Sequence, residues 1–256
     1  MTTPAIQFID VTKKFDGSEN DAVEQVSLSI EKGELITILG SSGSGKTTLL
    51  KMINRLYEPS KGTIQLFGED IQGMDVVKLR RGIGYVIQQV GLFPHMTVAE
   101  NIATVPRLLK WSQSAIDERT DELLAMVEME TKDFKKRYPS QLSGGEQQRI
   151  GLARALAVNP EIMLMDEPFG AIDAITRLNL QDQLLRIHGG LKKTFIFVTH
   201  DINEAFKLGS RVIIMNQGRI NQFDSPRNIV KQPATEFVSK LIESSREQEK
   251  FWEGLD

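Results

Sequence analysis

Gly40-Ser-Ser-Gly-Ser-Gly-Lys-Thr-Thr48 places three glycines, one lysine and five hydroxyl side chains in nine residues, at the spacing G-x-x-x-x-G-K-[ST]. Backbone at Gly40, Gly43 and Gly45 can curl with no Cβ in the way, turning successive N–H groups inward to form an anion nest at a helix start. Lys46 adds a point charge suited to β- and γ-phosphates, and Thr47 offers a hydroxyl to Mg²⁺. Ser41, Ser42, Ser44 and Thr48 are small enough to leave the anion room. The predicted chemistry is binding of a nucleoside triphosphate with Mg²⁺.

A second reactive group is Ile162-Met-Leu-Met-Asp166-Glu167, four apolar residues ending in two acids. Ligands of a parallel sheet bind at the carboxyl ends of its strands, so Asp166 is expected to hold Mg²⁺, directly or through water. Glu167 beside it is expected to orient and polarise the water that attacks a γ-phosphate, which is general-base work. The same acids are also suited to capping the turn before Pro168. His200 follows the apolar run Thr194–Thr199 as Asp166 follows its own, so the imidazole should project at the same kind of edge. There it can touch the γ-phosphate and hold the water or Glu167 in place, or serve a structural role. His95 and His188 are read as structural. At the end of Ile83–Gln88 an amide oxygen could reach the metal or the water, from Gln88 or from its neighbour Gln89.

The elements that must position these groups are legible from periodicity. Ile6–Thr12 and Val23–Ile30 read as antiparallel strands, Leu35–Leu39 as the buried strand before the glycine loop, and Thr47–Leu56 as the helix after it. Thr63–Phe67 and Ile83–Gln88 are further expected strands. Val98 to about Ala157 carries helical spacing, and Ile162–Met165, Thr194–Thr199 and Arg211–Met215 read as buried parallel strands. The fold class predicted is α/β: a nucleotide-binding core over 1–90 and 158–233, with N-terminal antiparallel strands. A helical subdomain is inserted at 91–157 and a helical tail occupies 234–256. No internal repeat or low-complexity tract is visible.

Composition restricts the classes of function. At 256 residues the chain suits one α/β unit with an inserted subdomain. A net charge of -3 with interspersed signs gives no footprint for nucleic acid or an anionic membrane. The absence of cysteine excludes disulfides and thiolate chemistry and is compatible with a reducing compartment. The N-terminus has neither a basic region nor an apolar core, and no apolar stretch approaches about 18 residues. The expectation is a chain that is neither secreted nor membrane-spanning.

Leu142-Ser-Gly-Gly-Glu-Gln-Gln-Arg149 resembles the signature sequence of ABC-transporter ATPases. The resemblance spans essentially the whole chain in the expected order: the phosphate loop, Gln88, the signature, Asp166-Glu167, Gly170-Ala-Ile-Asp173 and His200. It implies a P-loop ABC-ATPase core that binds ATP and Mg²⁺. It assigns Lys46, Gln88, Glu167 and His200 to catalysis, with Thr47, Gln88 and Asp166 around the metal and His200 as the switch histidine. Ser143, Gly144 and Gly145 open the helix toward Leu156 and offer a second anion site of hydroxyl, bare N–H groups and helix dipole. In this family the signature of one subunit closes over the γ-phosphate held by another, which implies a head-to-tail homodimer sandwiching two ATP molecules. Phe15 stands where the family stacks an aromatic ring, more often tyrosine, on adenine. Asp173 lies in the loop that crosses the dimer interface, with Ile172 in place of the usual leucine.

A chain of this kind without membrane spans needs membrane subunits to drive. The resemblance implies integral membrane permease subunits, whose short coupling helix would meet Gln88–Asn101 with Leu92, Phe93 and Met96 as apolar contacts; core packing is an equal use for these three. It also implies an indirect solute-binding protein and a place on the cytoplasmic face of the cell membrane. Ile53-Asn-Arg-Leu-Tyr-Glu-Pro59 and Ile83-Gly-Tyr-Val-Ile-Gln-Gln89 are similar to importers of quaternary-amine osmoprotectants such as glycine betaine, choline or carnitine. An importer ATPase for polar amino acids or another small solute is the nearer alternative, and a soluble non-transport ABC ATPase the remote one. Many such osmoprotectant ATPases carry paired nucleotide-sensing domains after the core; none is expected here before Asp256.

Overall fold

The computed structural model describes residues 3–88, 91–170 and 172–253. Gln89 and Ala171 of the motifs above, and 254–256 of the expected tail, lie outside the described residues. In chain order the elements begin with β1 (Ile6–Lys13), β2 (Val23–Ile30), β3 (Leu35–Gly40), α1 (Lys46–Ile53), β4 (Lys61–Leu66) and β5 (Glu69–Asp70). They continue with α2 (Val76–Arg81), β6 (Ile83–Val86), α3 (Val98–Ile102), α4 (Thr104–Leu108), α5 (Gln113–Met126), α6 (Thr131–Phe134), α7 (Gly144–Ala155), β7 (Ile162–Asp166) and α8 (Ala174–Leu191). The chain then forms β8 (Thr194–Thr199), α9 (Ile202–Leu208), β9 (Arg211–Asn216), β10 (Arg219–Asp224), α10 (Pro226–Lys231) and α11 (Glu236–Glu253).

Two compact units result, Met1–Val76 with Thr194–Asp256, and Val77–Lys193. In the first, β1 is hydrogen-bonded antiparallel to β2 and to β4, and β5 follows at the edge. Only one face of such a sheet need be apolar, and Ile6, Phe8 and Val11 are the inward residues of β1. The second sheet of this unit places β3 between parallel β8 and β9, with β10 antiparallel beyond β9. Every residue of β3 and β8 is buried, the pattern of strands covered on both faces. Phe195 and Phe197 are fully buried in β8, and truncating such a ring to alanine typically costs about 3–5 kcal/mol. α9 and α11 meet over a cluster of Leu39, Ala205, Val212, Ile214, Ile229, Val238 and Ile242.

In the second unit β6 and β7 pair in parallel, Val86 opposite Met165, and α7 packs against β6 and α8. This unit contains all of 91–157 together with β6, β7 and α8, while 234–253 belongs to the first. Three elements end earlier than the periodicity reading placed them. β6 ends at Val86 rather than Gln88, and α1 ends at Ile53, where Asn54 and the left-handed Arg55 (φ 53°) break the helix. β4 ends at Leu66 because Phe67 turns to φ 52°.

Candidate active site

In the first unit the loop between β3 and α1 is shaped by two kinds of glycine. Gly43 and Gly45 have φ of 75° and 99°, the left-handed region that a Cβ disfavours. Gly40 answers to packing: a Cβ there would lie 2.2 Å from the Met215 carbonyl oxygen. Gly43 has nothing within 4 Å of a built Cβ, so its backbone stands open to an approaching group. Gly45 is the N-cap of α1 and has no side chain to bond the first-turn N–H groups, which a helix leaves for a ligand or solvent. Lys46 is 5% exposed, and its Nζ donates to the carbonyls of Gly40 at 2.8 Å and Ser41 at 2.9 Å, so the cation is held over the loop. Ser44 is buried, and its Oγ has no hydrogen-bond partner among the described residues. Thr47 and Thr48 are half-buried in the first turn, and Ser41 and Ser42 are exposed.

The register of β3 on β8 pairs Leu39 with Thr199. Gly40 and His200 therefore leave neighbouring parallel strands at the same edge. The chain bends at once after His200: the Asp201 N–H donates to Thr199 Oγ1 at 3.0 Å, and Asp201 Oδ1 caps α9 by accepting from the Asn203 and Glu204 N–H groups. His200 itself is exposed. Phe15, just beyond β1, is half-buried, with Tyr57 edge-on at 5.1 Å and Lys13 Nζ 5.1 Å from its centroid.

In the second unit Asp166 ends β7 at 8% exposure. The backbone then swings to φ 44° at Glu167, a left-handed conformation uncommon for a residue with a Cβ. That turn lifts the Glu167 carboxylate out of the strand direction toward Gln88, whose Nε2 donates to Glu167 Oε2 at 3.4 Å. A Cβ on Gly170 would lie 4.0 Å from the same carboxylate oxygen and 3.9 Å from Gln88 Nε2.

The signature begins in a capping box: the Ser143 N–H donates to Glu146 Oε2 at 2.7 Å, and Ser143 Oγ accepts from the Glu146 N–H at 3.3 Å. Its two glycines differ. A Cβ on Gly144 meets nothing within 4 Å, whereas one on Gly145 would lie 2.6 Å from Thr176 Cγ2. Asp173 caps α8 by accepting the Thr176 N–H at 3.0 Å, and this bond holds its carboxyl below the usual range.

Two residues that the motifs did not flag shape the surface after β6. Asn101 is fully buried on α3; its Oδ1 accepts the Phe93 N–H at 2.8 Å, and its Nδ2 donates to the carbonyls of Phe93, Met96 and Thr97. Arg154 on α7 donates to the Gly91 carbonyl at 2.7 Å and lies 5.7 Å from the Phe93 centroid, and burial lowers its pKa. A groove of about 320 Å³ lies beside Arg154, lined in part by Arg80, Arg81, Tyr85 and Phe93. Leu92 and Met96 are half-buried and Phe93 is 40% exposed. Nothing in local spacing marks Asn101 or Arg154, since their partners are loop backbone groups.

Among the described residues no helix is long and apolar enough to cross a membrane. The sequence pattern described as ABC transporter matches residues 23–170. The carnitine transport ATP-binding protein OpuCA of Listeria monocytogenes is 52% identical over 241 residues, 94% of this chain and 60% of that protein. The glycine betaine uptake system ATP-binding protein YehX of Escherichia coli (strain K12) is 48% identical over 237 residues, 93% of this chain and 76% of that protein. The chain thus spans about three-fifths of the length of several curated relatives it matches. Among solved structures, the dimeric structure of MJ0796, a bacterial ABC transporter cassette, superposes with a TM-score of 0.77 at 38% identity, covering 87% of this chain and 99% of that one.

Proposed function

The chain belongs to the ABC transporter family, and from that premise we propose that it is the ATP-hydrolysing subunit of an importer for a quaternary-amine compatible solute, of the glycine betaine, choline and carnitine class. The observation that carries the solute class is the similarity to OpuCA at 52% identity over 94% of this chain. The reading of the site rests on the Gln88–Glu167 contact and on the buried Lys46 above an open, left-handed glycine loop.

The amides of Gly43 and Gly45 and the Lys46 ammonium neutralise the β- and γ-phosphates of ATP, with Ser41, Ser42, Ser44 and Thr48 supplying hydroxyls around them. Thr47, Gln88 and Asp166 offer hydroxyl, amide and carboxylate oxygens, the hard donors Mg²⁺ selects. Bound there, the metal supplies charge neutralisation for the departing phosphoryl group. Glu167 accepts a hydrogen bond from the attacking water and takes up its proton as the water oxygen bonds the γ-phosphorus and the bond to the β,γ-bridging oxygen breaks. ADP and phosphate leave. Gln88 keeps the Glu167 carboxylate in place, and His200 positions the γ-phosphate and water. Phe15 offers its free ring area to adenine.

Ser143, Gly144 and Gly145 act on the nucleotide of a second copy, with Asp173 crossing between copies, so ATP closes a homodimer and hydrolysis reopens it. That cycle drives permease subunits at the cytoplasmic face of the membrane, and through them exchange with a solute-binding protein. The surface of Leu92, Phe93 and Met96, held by Asn101 and Arg154, receives the permease.

The deciding experiment is uptake of labelled glycine betaine at high osmolarity in cells lacking this chain, complemented with wild type or Glu167→Gln. Restoration by wild type alone is the expected result. Failure of wild type to restore uptake, while the purified protein hydrolyses ATP, would overturn the solute assignment and leave the ATPase assignment standing.

A further inference from the structure

The second unit buries two glutamine side chains whose amide groups are not fully hydrogen-bonded among the described residues. Gln148 on α7 is 2% exposed and Gln183 on α8 is 1% exposed. Gln148 Nε2 and both Nε2 and Oε1 of Gln183 have no hydrogen-bond partner among the described residues. Buried amide groups are nearly always paired, with protein or with ordered water. Both side chains line one cavity, walled otherwise by Arg149 and by apolar groups that include Met165, Pro168, Phe169 and Leu180. The cavity leaves about 10 Å³ in which the centre of a water molecule can move, the amount of room one ordered water needs when it has two or more polar partners.

We propose that this cavity is a binding site for one long-lived internal water, which accepts a hydrogen bond from one glutamine amide and donates one to the other. The water joins α7 to α8. Its wall contains Met165 and Pro168, the residues on either side of Asp166 and Glu167, so the bridge sits directly behind the turn that carries the two acids. The site is independent of the nucleotide and of the transported solute.

The bridge fixes the sign of the test. If the amides were unpaired, replacing either by an apolar side chain of similar shape would remove a buried polar group with no partner and raise stability. With the water in place, Gln183→Met or Gln148→Met strands the remaining amide and the water, and the melting temperature should fall, by about 2–4 °C for each kcal/mol lost. The double substitution, which leaves nothing to satisfy, should recover most of that loss. Magnetic relaxation dispersion of the wild type should count one more long-lived water than the Gln183→Met protein, and a high-resolution crystal structure should place it between the two amides. The proposal is overturned if the single substitutions raise the melting temperature additively. It is equally overturned if the crystal structure pairs the two amides directly.

Discussion

Glu167 combines a left-handed backbone, φ 44°, with a carboxylate aimed at Gln88. A non-glycine residue in that region costs about 1–3 kcal/mol and persists only where its surroundings hold it. Glu167→Gln keeps the shape and removes the proton acceptor, so phosphate release should fall by about 10²–10⁴-fold, with nucleotide affinity retained; comparable turnover in the variant would remove Glu167 from the role of base. Asn101 makes a different residue-scale case. Its one side chain bonds four backbone groups of the loop from Phe93 to Thr97. Asn101→Ala removes the side-chain partner of the Phe93 N–H and of three loop carbonyls, of which those of Phe93 and Thr97 keep a backbone donor, so we expect a loss of about 1–3 kcal/mol and faster proteolysis between Gly91 and Thr97. An unchanged melting curve would show that solvent replaces the clamp.

At the scale of elements, α7 and α8 separate two duties that look alike in the sequence. Gly145→Ala drives a methyl to 2.6 Å from Thr176 Cγ2, so it should lower the melting temperature, and Thr176→Ser, which deletes that methyl, should restore it. Gly144→Ala has open space and should leave stability near wild type while cutting ATP turnover. Equal effects of the two alanines on stability would refute the distinction. The α8 cap carries a pH dependence. The Thr176 N–H holds the Asp173 pKa below its ordinary value, and a carboxyl lowered by folding adds stability that is complete above its unfolded pKa and lost as pH falls through the folded one. The start of α8 should therefore loosen in acid, below the ordinary aspartate range. Asp173→Asn keeps a capping oxygen without the charge, so melting temperatures followed from neutral pH into acid should be flatter for the variant.

For the whole molecule, the residues assigned to ATP are divided between the units: the glycine loop and His200 belong to one, Asp166, Glu167 and the signature to the other. A ligand that binds only the folded chain stabilises it by mass action, about 2.7 kcal/mol at a hundredfold excess over Kd. ATP should raise the melting temperature of the wild type, and in Lys46→Ala, compared with its own nucleotide-free melting temperature, that rise should vanish. In the Glu167→Gln protein, ATP and Mg²⁺ should yield a stable dimer by light scattering, and a monomer under those conditions would count against closure between two copies.

The sequence by itself determined which motifs the proposed chemistry is assigned to. A buried apolar run, a glycine loop and a helix are read within a few residues of one another, and so are two acids closing an apolar strand, because these signals depend on local backbone geometry and short-range periodicity. β3, β8 and the α3–α7 helical stretch were legible for the same reason. β10 was not: Arg219–Asp224 is largely polar and only partly buried, and it becomes a strand through its ladder with β9. Only the tertiary structure decided that Gly40 yields to Met215 and Gly145 to Thr176, that Gln88 reaches Glu167 from beyond the end of β6, and that Gln148 and Gln183 share a cavity. These are close approaches between segments distant in the chain, set by how whole elements pack, and no local pattern encodes them.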